Sequence, residues 1–220
     1  MLDRIGNEKA RATTIVEYRP NSKFPHHTHI GGEEFLVLTG TFKDQFGEFP
    51  AGTYVRNPIG SEHEPWVDDD GCTIMVKLLQ MAETAGESKA PLHVNLELAR
   101  TELGQTTEYG TMAELYRNAQ TGEVVHMCWL DDNKVFSIDE LSTGGEELFI
   151  LKGSLLFGDD DVYKEWGWLR FPPGEPLPQR LQLKAGPQGA QVYRKTGHLT
   201  ETALSMEKIQ INEDETVKTT

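Results

Sequence analysis

Apolar and polar positions change over short distances along this chain, and helical periodicity is scarce. Thr13-Thr14-Ile15-Val16 is a β-branched run with strand propensity. Phe35-Leu36-Val37-Leu38 is a continuous apolar run closed by Thr39-Gly40, which predicts a buried strand. Thr53-Tyr54-Val55-Arg56 alternates as a strand does and stops at Pro58-Ile59-Gly60. Thr73 to Leu79 is a second continuous apolar strand. Turn chemistry separates these runs: Arg19-Pro20-Asn21-Ser22, a hairpin loop at Asp44-Gln45-Phe46-Gly47, and Pro50-Ala51-Gly52. A polar linker is expected at 81–91. The alternation from Leu92 to Leu98 then predicts a half-buried strand. Met206 to Ile211 is expected to be the last strand, followed by a fraying tail at 212–220.

The second half repeats the first. Gly144-Gly145-Glu146-Glu147-Leu148-Phe149-Ile150-Leu151 copies Gly31-Gly32-Glu33-Glu34-Phe35-Leu36-Val37-Leu38. Gly167 to Gly174 echoes Gly52 to Gly60, and Gln191 to Lys195 echoes the strand ending at Lys77. A repeat of this length means two copies of one β-domain rather than a solenoid. The expected organisation is a first domain at 1–90 and a second at 91–220.

Composition narrows the function. With 35 acidic against 21 basic residues the formal net charge is −14, which argues against direct nucleic-acid binding and against an anionic membrane surface. No apolar run approaches the roughly 20 residues of a membrane helix, and residues 1–8 have no signal-peptide core. Cys72 and Cys128 form no CxxC pair and are expected as buried thiols in a reducing cytoplasm.

The candidate chemistry lies in His27-Thr28-His29-Ile30-Gly31-Gly32-Glu33-Glu34. On a strand, residues two apart share a face, so the imidazoles of His27 and His29 point the same way. Gly31-Gly32 permits a tight bend, after which Glu33 turns its carboxylate back toward them. Two imidazoles and a carboxylate converging describe three metal ligands. His63 is the other histidine within reach of this half. Glu34 and His26 alternate away, Glu34 toward solvent and His26 with at most a role in orienting a ligand. Tyr54 and Arg56 share a strand face and are candidates for lining a pocket. Trp66 reads as a packed rim, and His93, His126 and His198 as structural. In the second copy the positions of His27 and His29 fall on Asp139 or Glu140 and on Leu141 or Ser142, and Leu177 stands for His63. Only Glu146 survives there, so that copy is expected to be free of metal.

These residues resemble the cupin superfamily. His27, His29, Glu33 and Gly40 match its first motif from the first histidine onward, with Asn21 in place of the leading glycine. Gly52, Pro58, Gly60 and His63 match the second, with Val67 in place of the closing asparagine. The resemblance implies an all-β chain of two tandem cupin jelly-roll barrels. It also implies a metal held by His27, His29, Glu33 and His63. Residues 10 to 80 further resemble the cupin of ChrR-type anti-sigma factors, a zinc-binding sensory domain that follows a helical sigma-binding domain. No such helical segment precedes Ala10 and no cysteine pair is present. The resemblance therefore carries over the cupin and its metal, not the sigma-binding module.

Three neutral imidazoles and one carboxylate leave a divalent ion with a net charge near +1. The set suits zinc, which the resemblance favours, and also Fe(II), Mn or Ni. Two functions are expected. One is a regulatory or sensory protein that responds to a small-molecule effector, with a sigma factor as a partner to be tested. The other is a cupin dioxygenase acting on a small diketone or hydroxyketone. A scaffold in which the metal has no role ranks third. Paired lobes in one chain predict a monomer or homodimer.

Overall fold

The computed structural model describes residues 1–5, 11–84, 88–138, 143–158, 161–173 and 181–199. The positions opposite His27 and His29 in the second copy, Leu177, and Met206 to Ile211 lie outside the described residues. The chain is all-β apart from one short helix and forms two compact units, residues 1–94 and 95–200. Each is a jelly-roll barrel.

The first unit contains β1 (Asp3–Ile5), β2 (Arg11–Tyr18), β3 (His27–Thr28), β4 (Glu33–Asp44), β5 (Gly47–Pro50), β6 (Thr53–Asn57), β7 (Glu62–His63), β8 (Cys72–Leu78) and β9 (Leu92–Asn95). The main sheet has the order β1-β2-β8-β4-β6-β9, with β5 on β4, while β3 and β7 form a separate two-stranded ladder. Phe35, Val37, Phe42, Val55, Ile74 and Val76 pack inside. The alternate positions Leu36, Tyr54, Met75 and Lys77 are buried too. These strands are covered on both faces, which is why their sequences read as continuous apolar runs.

The second unit contains α1 (Leu96–Glu102), β10 (Gln105–Thr107), β11 (Gly110–Asn118), β12 (Glu123–Leu130), β13 (Val135–Ile138), β14 (Glu146–Phe157), β15 (Asp161–Lys164), β16 (Trp168–Phe171) and β17 (Leu181–Thr196). Its sheet has the order β10-β11-β12-β17-β14-β15, with β13 on β17 and β16 on β14. Cys128, Leu148, Ile150, Leu183 and Val192 are in its core. The repeat is visible in the pairing. Glu34 faces Arg56 and Lys77 across its two neighbouring strands, and Glu147 faces Arg170 and Lys195 in the same way.

The stretch from Leu92 to Leu98 is not one strand. The strand ends at Asn95, whose side chain accepts hydrogen bonds from the backbone N–H groups of Glu97 and Leu98 and so caps α1. Leu96 and Ala99, three apart, are the buried face of this helix. Alternation over so few residues also satisfies one helical turn, and the cap decides between them. Cys72 and Cys128 are buried free thiols, both pushed up to about 12 by desolvation, so neither is poised to react.

Candidate metal centre

Backbone pairing brings the histidines together. In the β3–β7 ladder His27 stands directly opposite His63, and directly opposed side chains on one face touch. His29 lies one residue beyond β3, where its N–H donates to the Ser61 carbonyl and its own carbonyl accepts from Gly60 N–H. Pairing therefore continues past the strand end. The three imidazole centroids are 4.6–4.9 Å apart in each pairing, and each ring offers a nitrogen within 4.8 Å of the others.

Glu33 arrives by the glycine bend. Gly32 has φ +73°, and a Cβ there would lie 2.2 Å from the Met81 sulfur. A Cβ on Gly31 would lie 2.6 Å from the Leu79 side chain. Only a bare backbone passes this point, and β4 begins with Glu33 aimed back at the rings. Oε2 of Glu33 is 3.4 Å from His29 Nε2 and 3.8 Å from His63 Nε2. Asn57, opposite Glu33 in the register, donates its amide N–H to the same oxygen at 3.0 Å.

Hydrogen bonds turn ring nitrogens inward. Nδ1 of His27 is 3.0 Å from the Pro25 carbonyl oxygen. A carbonyl only accepts, so Nδ1 carries a proton and Nε2 is the nitrogen turned toward the cluster. Nδ1 of His63 faces Asp44 Oδ2 at 3.1 Å and donates in the same way. The two Nε2 atoms then face each other at 3.2 Å. A cation belongs between two ring nitrogens at that distance, either a shared proton or a metal ion. His29 Nε2, fully buried, has no hydrogen-bond partner among the described residues.

The donor set fits a metal ion. Donors bound at about 2.0–2.2 Å around one ion stand about 3 to 3.5 Å apart. The 3.2 and 3.4 Å separations fall in that range, with the 3.8 Å edge just outside. Desolvation, with His63 and His27 beside it, holds the His29 imidazolium down to about 3, so this ring is a neutral ligand at physiological pH. Burial pushes the Glu33 carboxyl up, against the pull of His63 and the Asn57 hydrogen bond. A buried carboxylate needs a nearby positive charge, which a divalent ion held by these groups would supply.

Tyr54 and Arg56 do not line this site. In β6 they alternate with Val55 and Asn57 and so occupy the face opposite Glu33. Arg56 donates to Glu34 at 2.7 Å, both side chains being buried. Glu34 is thus paired rather than solvated, because β4 has no solvent face here. His26 is exposed, 3.6 Å from Glu62. Asp44 and Asn57 are the residues that motif spacing overlooked. Alternation could have found both: Asp44 shares a face with the core residue Phe42, and Asn57 with Val55.

Residues 1–82 match the model of the ChrR cupin-like domain. No curated protein matches the chain in sequence. Among solved structures the chain is similar to a bacterial pirin from Escherichia coli in complex with nickel(II), with a TM-score of 0.61 and 13% identity over 85% of this chain and 83% of that one. It is also similar to salicylate 1,2-dioxygenase from Pseudoaminobacter salicylatoxidans, with a TM-score of 0.59 and 11% identity over 89% of this chain and 72% of that one. Protein YlbA from E. coli gives a TM-score of 0.59 and 16% identity over 82% of this chain and 74% of that one. The chain as a whole thus shares the fold of these proteins, and its residues 1–82 are similar to the ChrR cupin-like domain.

Proposed function

We propose that this is a metal-binding bicupin with a regulatory or sensory role. In this reading its first unit holds one divalent ion through His27, His29, Glu33 and His63, zinc before Fe(II), Mn or Ni. The observation that carries it is the convergence of the Nε2 atoms of His27 and His63, 3.2 Å apart and each ring held by a hydrogen bond at Nδ1, with the unpartnered His29 Nε2 and the Glu33 carboxylate. When bound, the ion would supply a Lewis-acidic centre. The chain's own part is to hold three imidazoles neutral and one carboxylate ionised around it. The ChrR cupin-like match supports a sensory use, in which a small-molecule effector or oxidant alters the centre. A cytoplasmic setting fits the two free thiols. Among the described residues no helix is long and apolar enough to cross a membrane.

Elemental analysis of the protein as purified, with the coordination number from the X-ray absorption edge, tests this reading. One zinc per chain in a closed four-ligand site supports it; no uptake of any divalent ion overturns it. Co-purification of a sigma factor would identify the partner.

A dioxygenase acting on a small diketone or hydroxyketone is the second reading. His27 is half-buried while His29, Glu33 and His63 are buried, so one side of the cluster opens outward, as a substrate would require. Oxygen uptake by the iron-loaded protein would favour it.

A further inference from the structure

Both units begin a long inner strand with a buried glutamate after a Gly-Gly bend, Glu33 on β4 and Glu146 on β14. The surroundings correspond atom for atom along the backbone. Gly32 and Gly31 carbonyls accept from Leu79 and Met81 N–H, and Gly145 and Gly144 carbonyls accept from Gly197 and Leu199 N–H. A Cβ on Gly145 would strike Leu199 at 2.8 Å, as one on Gly32 would strike Met81. The registers agree as well. Phe35, two residues after Glu33, faces Val76. Leu148, two residues after Glu146, faces Arg194.

A core valine in the first unit is therefore an arginine in the second, and that arginine reaches the glutamate. Nε of Arg194 donates to Glu146 Oε1 at 2.7 Å and Nη2 donates to Oε2 at 3.1 Å, a two-pronged pair. Glu146 has no exposed surface, whereas the Arg194 side chain is 21% exposed. The guanidinium carbon also lies 5.5 Å from the Phe136 ring centroid, which favours a planar cation there. His126, opposite Arg194 on β12, is kept neutral by burial and by the arginine's charge. A buried carboxylate needs a nearby positive charge, and here the chain carries it covalently.

We propose that Arg194 is a built-in replacement for a metal ion, so that metal-linked stability belongs to the first unit alone. This rests on the reading that the first unit holds a metal. Loss of the ion loosens that unit, while the second, whose cation cannot dissociate, stays as it was. Such a division suits a sensor, in which one half responds and the other is constant.

Amide hydrogen exchange on the full chain, with and without a strong chelator, tests it. Chelation should raise exchange in β3, β4 and β7 by about tenfold or more and leave β14 and β17 within about twofold. Arg194→Met should raise exchange in β14 and β17 by roughly 10- to 100-fold whether or not chelator is present. Adding Glu146→Gln should recover most of that loss, because the unpaired charge is gone. If Arg194→Met does not fold, Arg194→Lys, which keeps the charge without the fork, should show the same pattern more weakly. Equal loosening of both units by chelator, or no recovery in the double variant, overturns the proposal. Uptake of metal with equal loosening sinks this asymmetry alone. Failure to take up any metal sinks it together with the functional reading.

Discussion

Nδ1 of His63 lies 3.1 Å from Oδ2 of Asp44, with both side chains buried. The carboxylate holds the ring in place through Nδ1 and leaves Nε2 facing His27, the position of a group behind a metal-ligating histidine in the reading proposed above. Asp44→Ala should therefore weaken metal binding roughly 10- to 100-fold, read by competition with a chromophoric chelator. Asp44→Asn, which still accepts a hydrogen bond, should lose less.

His27→Ala and His63→Ala should each remove most metal from the purified protein, by elemental analysis. Glu146→Ala should leave the metal content unchanged while lowering stability, since it strands the Arg194 charge. Metal loss in Glu146→Ala would contradict a centre confined to the first unit.

The pH dependence of the chelated protein follows from two opposed groups. The folded-state pKa of His29, about 3, is below its ordinary 6.5. Its contribution to stability is complete above pH 6.5 and is lost as pH falls toward 3. Glu33 is raised above its ordinary 4.5 by burial. Its contribution is complete below pH 4.5 and is lost as pH rises through the elevated value. Urea midpoints of chelated protein should thus peak in mildly acidic solution. With metal bound, the loss on the alkaline side should vanish, because the ion stabilises the ionised carboxylate, and metal affinity should climb with pH.

Gly32→Ala should destabilise the first unit by about 2 kcal/mol or more, combining a left-handed backbone with a Cβ driven into Met81. Gly52→Ala makes the matched comparison. Its φ is +85°, yet nothing lies within 4 Å of the added atom, so only the backbone cost of about 1–2 kcal/mol applies. Urea denaturation of both variants separates the two effects.

Much of the geometry of the candidate site was legible because its signals are local. Gly31-Gly32 before Glu33 announced a bend that the positive φ of Gly32 confirms, and the spacing of His27 and His29 put both rings on one side. What stayed hidden depends on partners remote in sequence. Asp44 looks like hairpin chemistry until β4 is seen to carry it past Phe42 into the interior. Glu34 looks solvated until both faces of β4 prove covered and Arg56 is found opposite. Asn95 reads as the polar half of an alternating strand, and only its cap hydrogen bonds turn the following residues into a helix. Arg194 sits in a run that echoes an apolar strand, and nothing nearby in sequence says that it meets Glu146.

The strands bearing His27 and His63 make a ladder only two residues long, apart from the main sheet, and His29 hangs on a few loop hydrogen bonds. So thin a fastening is the part of the first unit expected to open first. If this unit holds an ion as proposed, release of that ion would begin with movement of this rim. In that reading the ion could come and go repeatedly without the barrel being remade.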